Sequence, residues 1–296
     1  MGGRRVQRQQ ERLPRPILEL LAADPRTVSV PNLFRLVNEF AVEKRKRDIV
    51  IEKAQAAIKQ IYDSFNLAQR VRFFAMLYDQ FSDRYDQHMG IETRHYQAIR
   101  TVLQYAAPFL RTPIVDLTAG TGEPMRYVQE ILERSRIMRA AGIDHALLAP
   151  EQEIQPVHIN EVSPKMLEKA REKLGIDIRH TNMSAYDFSI GGFRTVVCSQ
   201  TFHLISNDDK PRMVRAIKDA LVTGGIAVVI EEDPFRISPV LPLDIALFLD
   251  AIVRPLKHPG ELIGHFITNG FTKLEERAVA PIDEFHSMRL HLFVKN

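Results

Sequence analysis

Cysteine is almost missing from this 296-residue chain, in which Cys198 stands alone. One thiol cannot form an intramolecular disulfide, and a zinc site built from cysteines is excluded with it. That usage fits a reducing environment and leads to the expectation of a cytoplasmic protein. Long apolar runs are scarce too. The first residues contain no apolar h-region, so no secretory signal is expected. Val6 occupies the position where a myristoylation motif needs Ser or Thr. The greasiest window, Ile237 to Leu256, is interrupted by Pro239, Pro242, Asp244 and Asp250, which argues against a membrane span. A strong excess of one charge sign is also absent, since a net charge of +3 is too small to point to nucleic acid by itself. The positive surplus sits at one end, where residues 1–60 hold thirteen Lys/Arg against seven Asp/Glu.

What is present is ordinary for a globular chain able to bury a core: 45% apolar and 26% charged residues. The length suggests about two domains, or one with a large extension. Residues 1–15 carry five arginines and few anchors and read as a disordered basic arm. From Pro31 to about Phe65 apolar residues recur at three- and four-residue steps, the period of a helix. The run Glu43-Lys44-Arg45-Lys46-Arg47-Asp48 lies within that stretch. With no interleaved aromatics to stack on bases, it reads as a solvated face. Next, Tyr78-Asp79 recurs after seven residues as Tyr85-Asp86, which puts both tyrosines on nearly one helix face. That repeat fits either a packed amphipathic helix or a lid with phenol groups over a pocket. A further helix is expected from Glu92 to Phe109.

The remaining residues alternate strand and helix patterns. Strands are expected near Ile114–Asp116, Val157–Val162, Ile178–Thr181, Phe193–Ser199, Ile226–Ile230, Lys273–Ala280 and Met288–Val294. Helices lie between them, and Ser163 is placed to cap one with Pro164 in its first turn. Thr223-Gly224-Gly225 is expected to turn the chain into the fifth strand. The pattern is that of a doubly wound α/β sheet with helices on both faces.

The chemistry gathers around Val115-Asp116-Leu117-Thr118-Ala119-Gly120-Thr121-Gly122-Glu123, a strand ending in an acid and then a Gly-x-Gly turn into a helix. A dinucleotide fingerprint needs a third glycine where Met125 stands, and an acid about twenty residues on. A Walker phosphate loop and a Gly-x-Ser-x-Gly elbow are also missing. What remains is Asp116 before the glycines, Glu161 after the second strand and Asn182 after the third. This set suits a ligand with a ribose diol and an adenine but no phosphate, because a carboxylate can accept both hydroxyl protons.

With those residues in place, residues 113–232 resemble class I S-adenosylmethionine-dependent methyltransferases. Val115 to Glu123 is similar to their first motif, and Asn160-Glu161-Val162-Ser163-Pro164 with the helix behind it is similar to their second. The Tyr-Asp repeat looks like the lid helix of small-molecule members, including the ubiquinone/menaquinone type. The resemblance implies a seven-stranded Rossmann-like methyltransferase sheet of order 3-2-1-4-5-7-6 with the last strand antiparallel. It also implies S-adenosyl-L-methionine as cofactor, held by Tyr78, Tyr85, Asp116, Thr118, Ala119, Gly120, Thr121, Gly122, Glu161, Val162, Asn182, Met183, Ser199 and Gln200.

The implied organisation is an N-terminal helical extension over residues 1–70, lid helices over 71–110 and a cofactor domain over 111–296. An apolar insertion, 235–256, would form a pocket wall. The stretch between the two motifs is about fifteen residues longer than the family's pattern, and residues 1–70 lie outside the resemblance.

Methyl transfer from a sulfonium asks the protein to align a nucleophile and, where needed, to remove its proton. His203 is the candidate general base, with Tyr85 and His88 as further catalytic candidates and His95 as a second histidine of the lid. Cys198 reads as a small buried strand residue. Glu231-Glu232-Asp233 reads as a set of solvated carboxylates, and no metal is expected. The motifs of enzymes acting on nucleic-acid bases are missing after the fourth strand, so the expected partner is a small, partly apolar acceptor. Two alternatives stay open: methylation of RNA or protein docked on the basic N-terminal helices, and a non-catalytic cofactor-binding protein.

Overall fold

The apolar and β-branched runs assemble into one sheet. The computed structural model describes residues 15–42, 48–175, 178–233, 241–253, 259–282 and 287–296. Nearly all of the basic arm, the run Glu43 to Arg47, and residues 234–240 and 254–258 of the apolar insertion lie outside the described residues. Three helices come first, α1 (Arg15–Ala22), α2 (Val30–Val42) and α3 (Asp48–Ser64), then the long α4 (Leu67–Gln87) and α5 (His95–Ala106). Strand and helix then alternate as β1 (Ile114–Asp116), α6 (Glu123–Ala140), β2 (His158–Asn160), α7 (Pro164–Leu174), β3 (Arg179–Thr181), β4 (Phe193–Ser199), α8 (Lys210–Ala220) and β5 (Leu221–Asp233). The chain closes with α9 (Leu243–Ile252), α10 (Pro259–Thr268), β6 (Phe271–Pro281) and β7 (Ser287–Lys295).

The chain divides into two compact units. The first joins the described residues up to Arg70 with Pro242–Ala251. Its helices bury Leu33, Leu36, Phe40, Ile58 and Tyr62, and Phe34 stacks on Phe248 of α9 at 4.2 Å. The apolar sequence of α9 therefore serves packing within this unit. Helix α1 is an addition to the sequence reading, whose first helix begins at Pro31.

The second unit, Val71–Leu241 with Ile252–Asn296, holds the sheet. Its order is β3-β2-β1-β4-β5-β7-β6. The first five strands are mutually parallel, while β7 runs antiparallel to both β5 and β6. This is the order the resemblance implies. Side chains alternate between faces, as the two-residue period of a strand requires. Ile114, Val197, Val228 and Leu292 pack with α5 and α6 on one face. Val115, Val196, Cys198, Val229 and Phe293 pack with α8 and α10 on the other. Both faces are covered, which explains why the central strands read as continuous apolar runs.

One boundary differs from expectation. Thr223-Gly224-Gly225 lies inside β5, where the register against β4 jumps from Phe193↔Leu221 to Thr195↔Ile226. The strand accommodates the extra residues as a bulge because Gly224 takes φ +74°, a region costly for residues with a Cβ. At Gly225 a Cβ would meet Leu221 Cδ2 and Val222 O at 2.9 Å each.

Phe266 of α10 ties the second face together, lying parallel to Phe293 at 4.0 Å with full burial. Phe266→Ala is expected to cost about 3–5 kcal/mol of unfolding free energy, measured by urea denaturation. A loss below about 1 kcal/mol would mean that this face of the sheet is not a tightly packed core.

Candidate functional site

The carboxyl ends of β1, β2 and β4 surround a cleft of about 730 Å³. It opens there because the strand order reverses direction between β1 and β4, and in open α/β sheets that switch point leaves a crevice beyond the strand ends. Its polar wall comes from Thr118, Gly120, Asn160, Glu161, Ser199, Gln200 and Thr201. Ala185, Tyr186, Leu204, Ile205 and Met213 form an apolar end, and α4 adds Val71, Phe74, Tyr78 and Tyr85. Among the described residues the lining contains no Lys or Arg. With Glu161 on its wall, the cleft can receive positive charge.

The glycine turn is built by its own backbone. Gly120 and Gly122 take φ +55° and +80°, and Gly122 N–H closes the turn by donating to Ala119 O at 2.8 Å. Ala119 N–H donates to Asn160 O at 3.0 Å and so links the turn to β2. A Cβ on Gly122 would stand 3.0 Å from Ala170 Cβ and Leu174 Cδ1, so the second glycine also lets α7 approach. Beside it, Ser163 Oγ caps α7 by accepting from Met166 N–H at 3.2 Å. Such a cap is worth about 1 kcal/mol.

Two carboxyls set the electrostatics. Asp116 is fully buried and accepts from Thr118 N–H at 3.0 Å, while its Oδ2 has no partner. Glu161 accepts from Gly120 N–H at 2.8 Å and from Ser163 N–H at 2.9 Å. Burial pushes both carboxyls up to about 7, the Glu161 charge adding to the shift at Asp116. Ser199 Oγ, on the cleft wall, is likewise buried without a partner.

Helix α4 explains the Tyr-Asp repeat. Tyr78 and Tyr85 line the cleft and meet edge to face at 6.0 Å, and burial raises both phenols above their ordinary range. The acids point elsewhere. Asp79 accepts from Ser163 Oγ at 2.5 Å and from Lys165 N–H at 3.1 Å. Asp83 pairs with Lys169 at 3.2 Å. Asp86 accepts from Tyr96 Oη at 2.6 Å, from Lys173 Nζ at 3.0 Å and from Thr121 Oγ1. Burial works against the charge on Asp86, but those three donors outweigh it and hold the carboxyl below its ordinary value. The tyrosines thus roof the cleft while the acids latch α4 to α7 and to the glycine turn. Spacing alone could have separated these faces; it could not have named the lysines.

Several expected residues fall elsewhere. Val162 lines the cleft. Thr121, however, turns away toward Asp86. Asn182 is exposed and donates to Glu161 O at 2.6 Å and to Val162 O at 3.1 Å, and Met183 packs against the core on the α8 side. The residues after β3 that reach the cleft are Ser184, Ala185 and Tyr186. A 3-10 turn at Ala185–Asp187 folds them inward, and the sequence reading did not include it.

His203 does not line the cleft. It is 3% exposed, with Nδ1 2.7 Å from Glu231 Oε2. His88 is also buried outside the lining, tilted against Phe81 at 5.5 Å. Cys198 is a buried strand residue whose thiol burial pushes far up. The expectation of solvated acids after β5 is corrected. Glu231 and Glu232 are 1% and 6% exposed, because β5 stays paired with β7 through both residues and each carboxylate finds a histidine, His203 on one side and His95 on the other.

Comparison with known proteins agrees with the fold. A family model described as a methyltransferase domain matches residues 137–225. A search of curated proteins finds no match. Among solved structures, DhpI in complex with SAH aligns at a TM-score of 0.54 with 14% identity, over 75% of this chain and 95% of that one. Magnesium protoporphyrin IX methyltransferase (ChlM) from Synechocystis PCC 6803 with bound SAM aligns at 0.51 with 14% identity, over 78% and 100%. The [4+2]-cyclase SpnF aligns at 0.52, also with 14% identity, over 76% and 96%. At such identity the likeness is one of fold, and the fold is the Rossmann-like methyltransferase sheet. Among the described residues no helix is long and apolar enough to cross a membrane.

The electrostatics give a test in the free protein. An acid raised from 4.5 to about 7 stabilises the fold fully below the lower value and loses that contribution as pH rises through 7, a change of roughly 3 kcal/mol at most. Glu161→Gln removes this titration. Thermal unfolding from pH 5.5 to 8.5 should therefore show the variant gaining stability relative to wild type as pH rises. A difference independent of pH would mean that Glu161 is already ionised at pH 5.5.

Proposed function

We propose that the chain is an S-adenosylmethionine-dependent methyltransferase acting on a small, partly apolar acceptor. The observation that carries this reading is a cleft with Glu161 on its wall and, among the described residues, no Lys or Arg, while the buried Asp116 ends the neighbouring β1. A nucleotide with phosphates would find no countercharge there, whereas an adenosyl sulfonium brings positive charge and a ribose diol.

In this reading Glu161 accepts the ribose hydroxyl protons and ionises as it does so. Gly120 and Gly122 let the backbone approach the methionine end, and Thr118 and Ser199 offer hydroxyls beside it. Asp116 Oδ2, unpartnered and buried, is poised toward positive charge behind the turn. Ala185, Tyr186 and Leu204 suit a flat heterocycle. When bound, the cofactor supplies a methyl group on a sulfonium, a leaving group that needs no acid. The protein's part is alignment and exclusion of water, for which Tyr78 and Tyr85 on the latched α4 are suited. The same fold in a [4+2]-cyclase is a reminder that fold alone does not set the reaction, so the acceptor class rests on the cleft's apolar wall.

Calorimetric titration with S-adenosylhomocysteine checks the cofactor assignment. Wild type should bind, and Glu161→Ala should bind about 10- to 100-fold more weakly, the range for losing hydrogen bonds to a charged group. No binding by wild type, or equal binding by Glu161→Ala and wild type, would overturn it.

A further inference from the structure

We propose that the chain carries a second ligand site, toward the carboxyl end of α6, for a small amphipathic carboxylate with one anionic head and an apolar body. The site is a cavity of about 440 Å³ between α5, α6 and the connection from α6 to β2. That volume is in the range of small-molecule pockets. The cavity shares no lining residue with the cleft. Arg134, on its wall, stands eleven residues along α6 from Glu123, about 16 Å at the rise of a helix. The inference therefore does not depend on the methyltransferase reading.

The connection from α6 to β2 builds the outer wall. It is the stretch that is longer than the pattern of the resembled family, and it contains neither helix nor strand. Bonds at two points fix it all the same. Ala149 N–H donates to Ser135 Oγ at 3.0 Å, and Arg139 donates from Nε and Nη2 to Ala149 O at 3.3 and 3.1 Å. Further on, Gln152 accepts from Thr112 N–H at 2.8 Å and donates to Leu110 O at 2.9 Å. The wall is thus tied to α6 on one side and to the residues before β1 on the other. Of the two adjacent leucines it adds to the lining, Leu148 is buried and Leu147 is 49% exposed. A leucine held in water beside a cavity leaves apolar area for a ligand to cover.

The charges of the lining select the occupant. Among the described residues Arg100 and Arg134 face a single acid, Glu130. That acid is already engaged, since Arg100 lies 3.2 Å from its Oε2 and Arg126 holds its Oε1. Arg134 has no hydrogen bond or ion pair among the described residues. One guanidinium is left to pair, and its planar fork matches a carboxylate. His145 adds a donor. Its Nδ1 accepts from Leu147 N–H at 3.1 Å, so the neutral ring carries its proton on Nε2. Ala107, Ile131, Met138 and the two leucines complete the lining with apolar surface, which calls for a body of several methylenes or a ring behind the head.

Octanoate is the probe, titrated into the full-length chain at pH 7 and followed by saturation-transfer NMR. It should bind, and octanamide, of equal length but neutral, should bind at least about 10-fold more weakly, the range for losing a charge-assisted bond. Arg134→Gln changes an exposed helix position and should weaken octanoate by a similar factor. Arg136→Gln, two residues on and off the lining, should leave binding unchanged. Saturating S-adenosylhomocysteine should not displace the probe. No binding of octanoate, equal binding of octanamide, or equal binding by Arg134→Gln would overturn the proposal. Displacement by S-adenosylhomocysteine would put the probe in the cleft and overturn it too. A dimer in sedimentation velocity that Leu147→Asp dissociates would make the cavity an interface between copies, and the ligand site would fall. A chain that binds octanoate but not S-adenosylhomocysteine would keep this site and lose the methyl-donor reading.

Discussion

The site depends on a pair of carboxyls buried at the rim of a parallel sheet with no cation beside them. Asp116 ends β1 and Glu161 follows β2, neighbouring strands in the sheet. The fold supplies backbone amides to both, and among the described residues the cleft wall holds no Lys or Arg. Ionising both in the empty cleft is costly, and each is held up to about 7. A ligand that brings hydroxyl donors and positive charge relieves that cost, and one that brings phosphate adds to it.

The second organising feature is the division of labour along α4. Its phenols and its carboxylates leave the helix on different faces, so one segment both roofs the cleft and fastens itself. Lys173 is the hub of the fastening, meeting Asp86 and Glu123 at 3.0 Å each. Burial opposes the charge on Glu123, but donors from Arg126, Lys173 and Tyr127 hold it down to about 2. The latch therefore stays ionised at any pH where the two cleft carboxyls titrate. The pair between Asp83 and Lys169 is exposed and adds little; the anchoring lies in the partly buried group around Asp86.

Much of this was legible in the sequence, for identifiable reasons. The alternation of strands and helices and the glycine turn rest on short local patterns, and the strand order, which the resemblance implied, is the one observed. Three things were not legible. The residues that enter the cleft after β3 depend on a 3-10 turn with no strong signature, so Asn182 and Met183 stood in for Ser184, Ala185 and Tyr186. The burial of Glu231 and Glu232 depends on histidines far away in the chain, at 203 and 95, which no local window can see. And α9, though mostly apolar, packs with α2 through Phe34, a contact across more than two hundred residues.

Glu161, held up to about 7 by burial, is expected to lose a proton when the cofactor's hydroxyls arrive. Calorimetry of S-adenosylhomocysteine binding at pH 6.5, in buffers of different ionisation enthalpy, measures that proton directly. The predicted result is net release, on the order of half a proton per site, which disappears in Glu161→Gln. Proton uptake, or a release unchanged in that variant, would contradict the account.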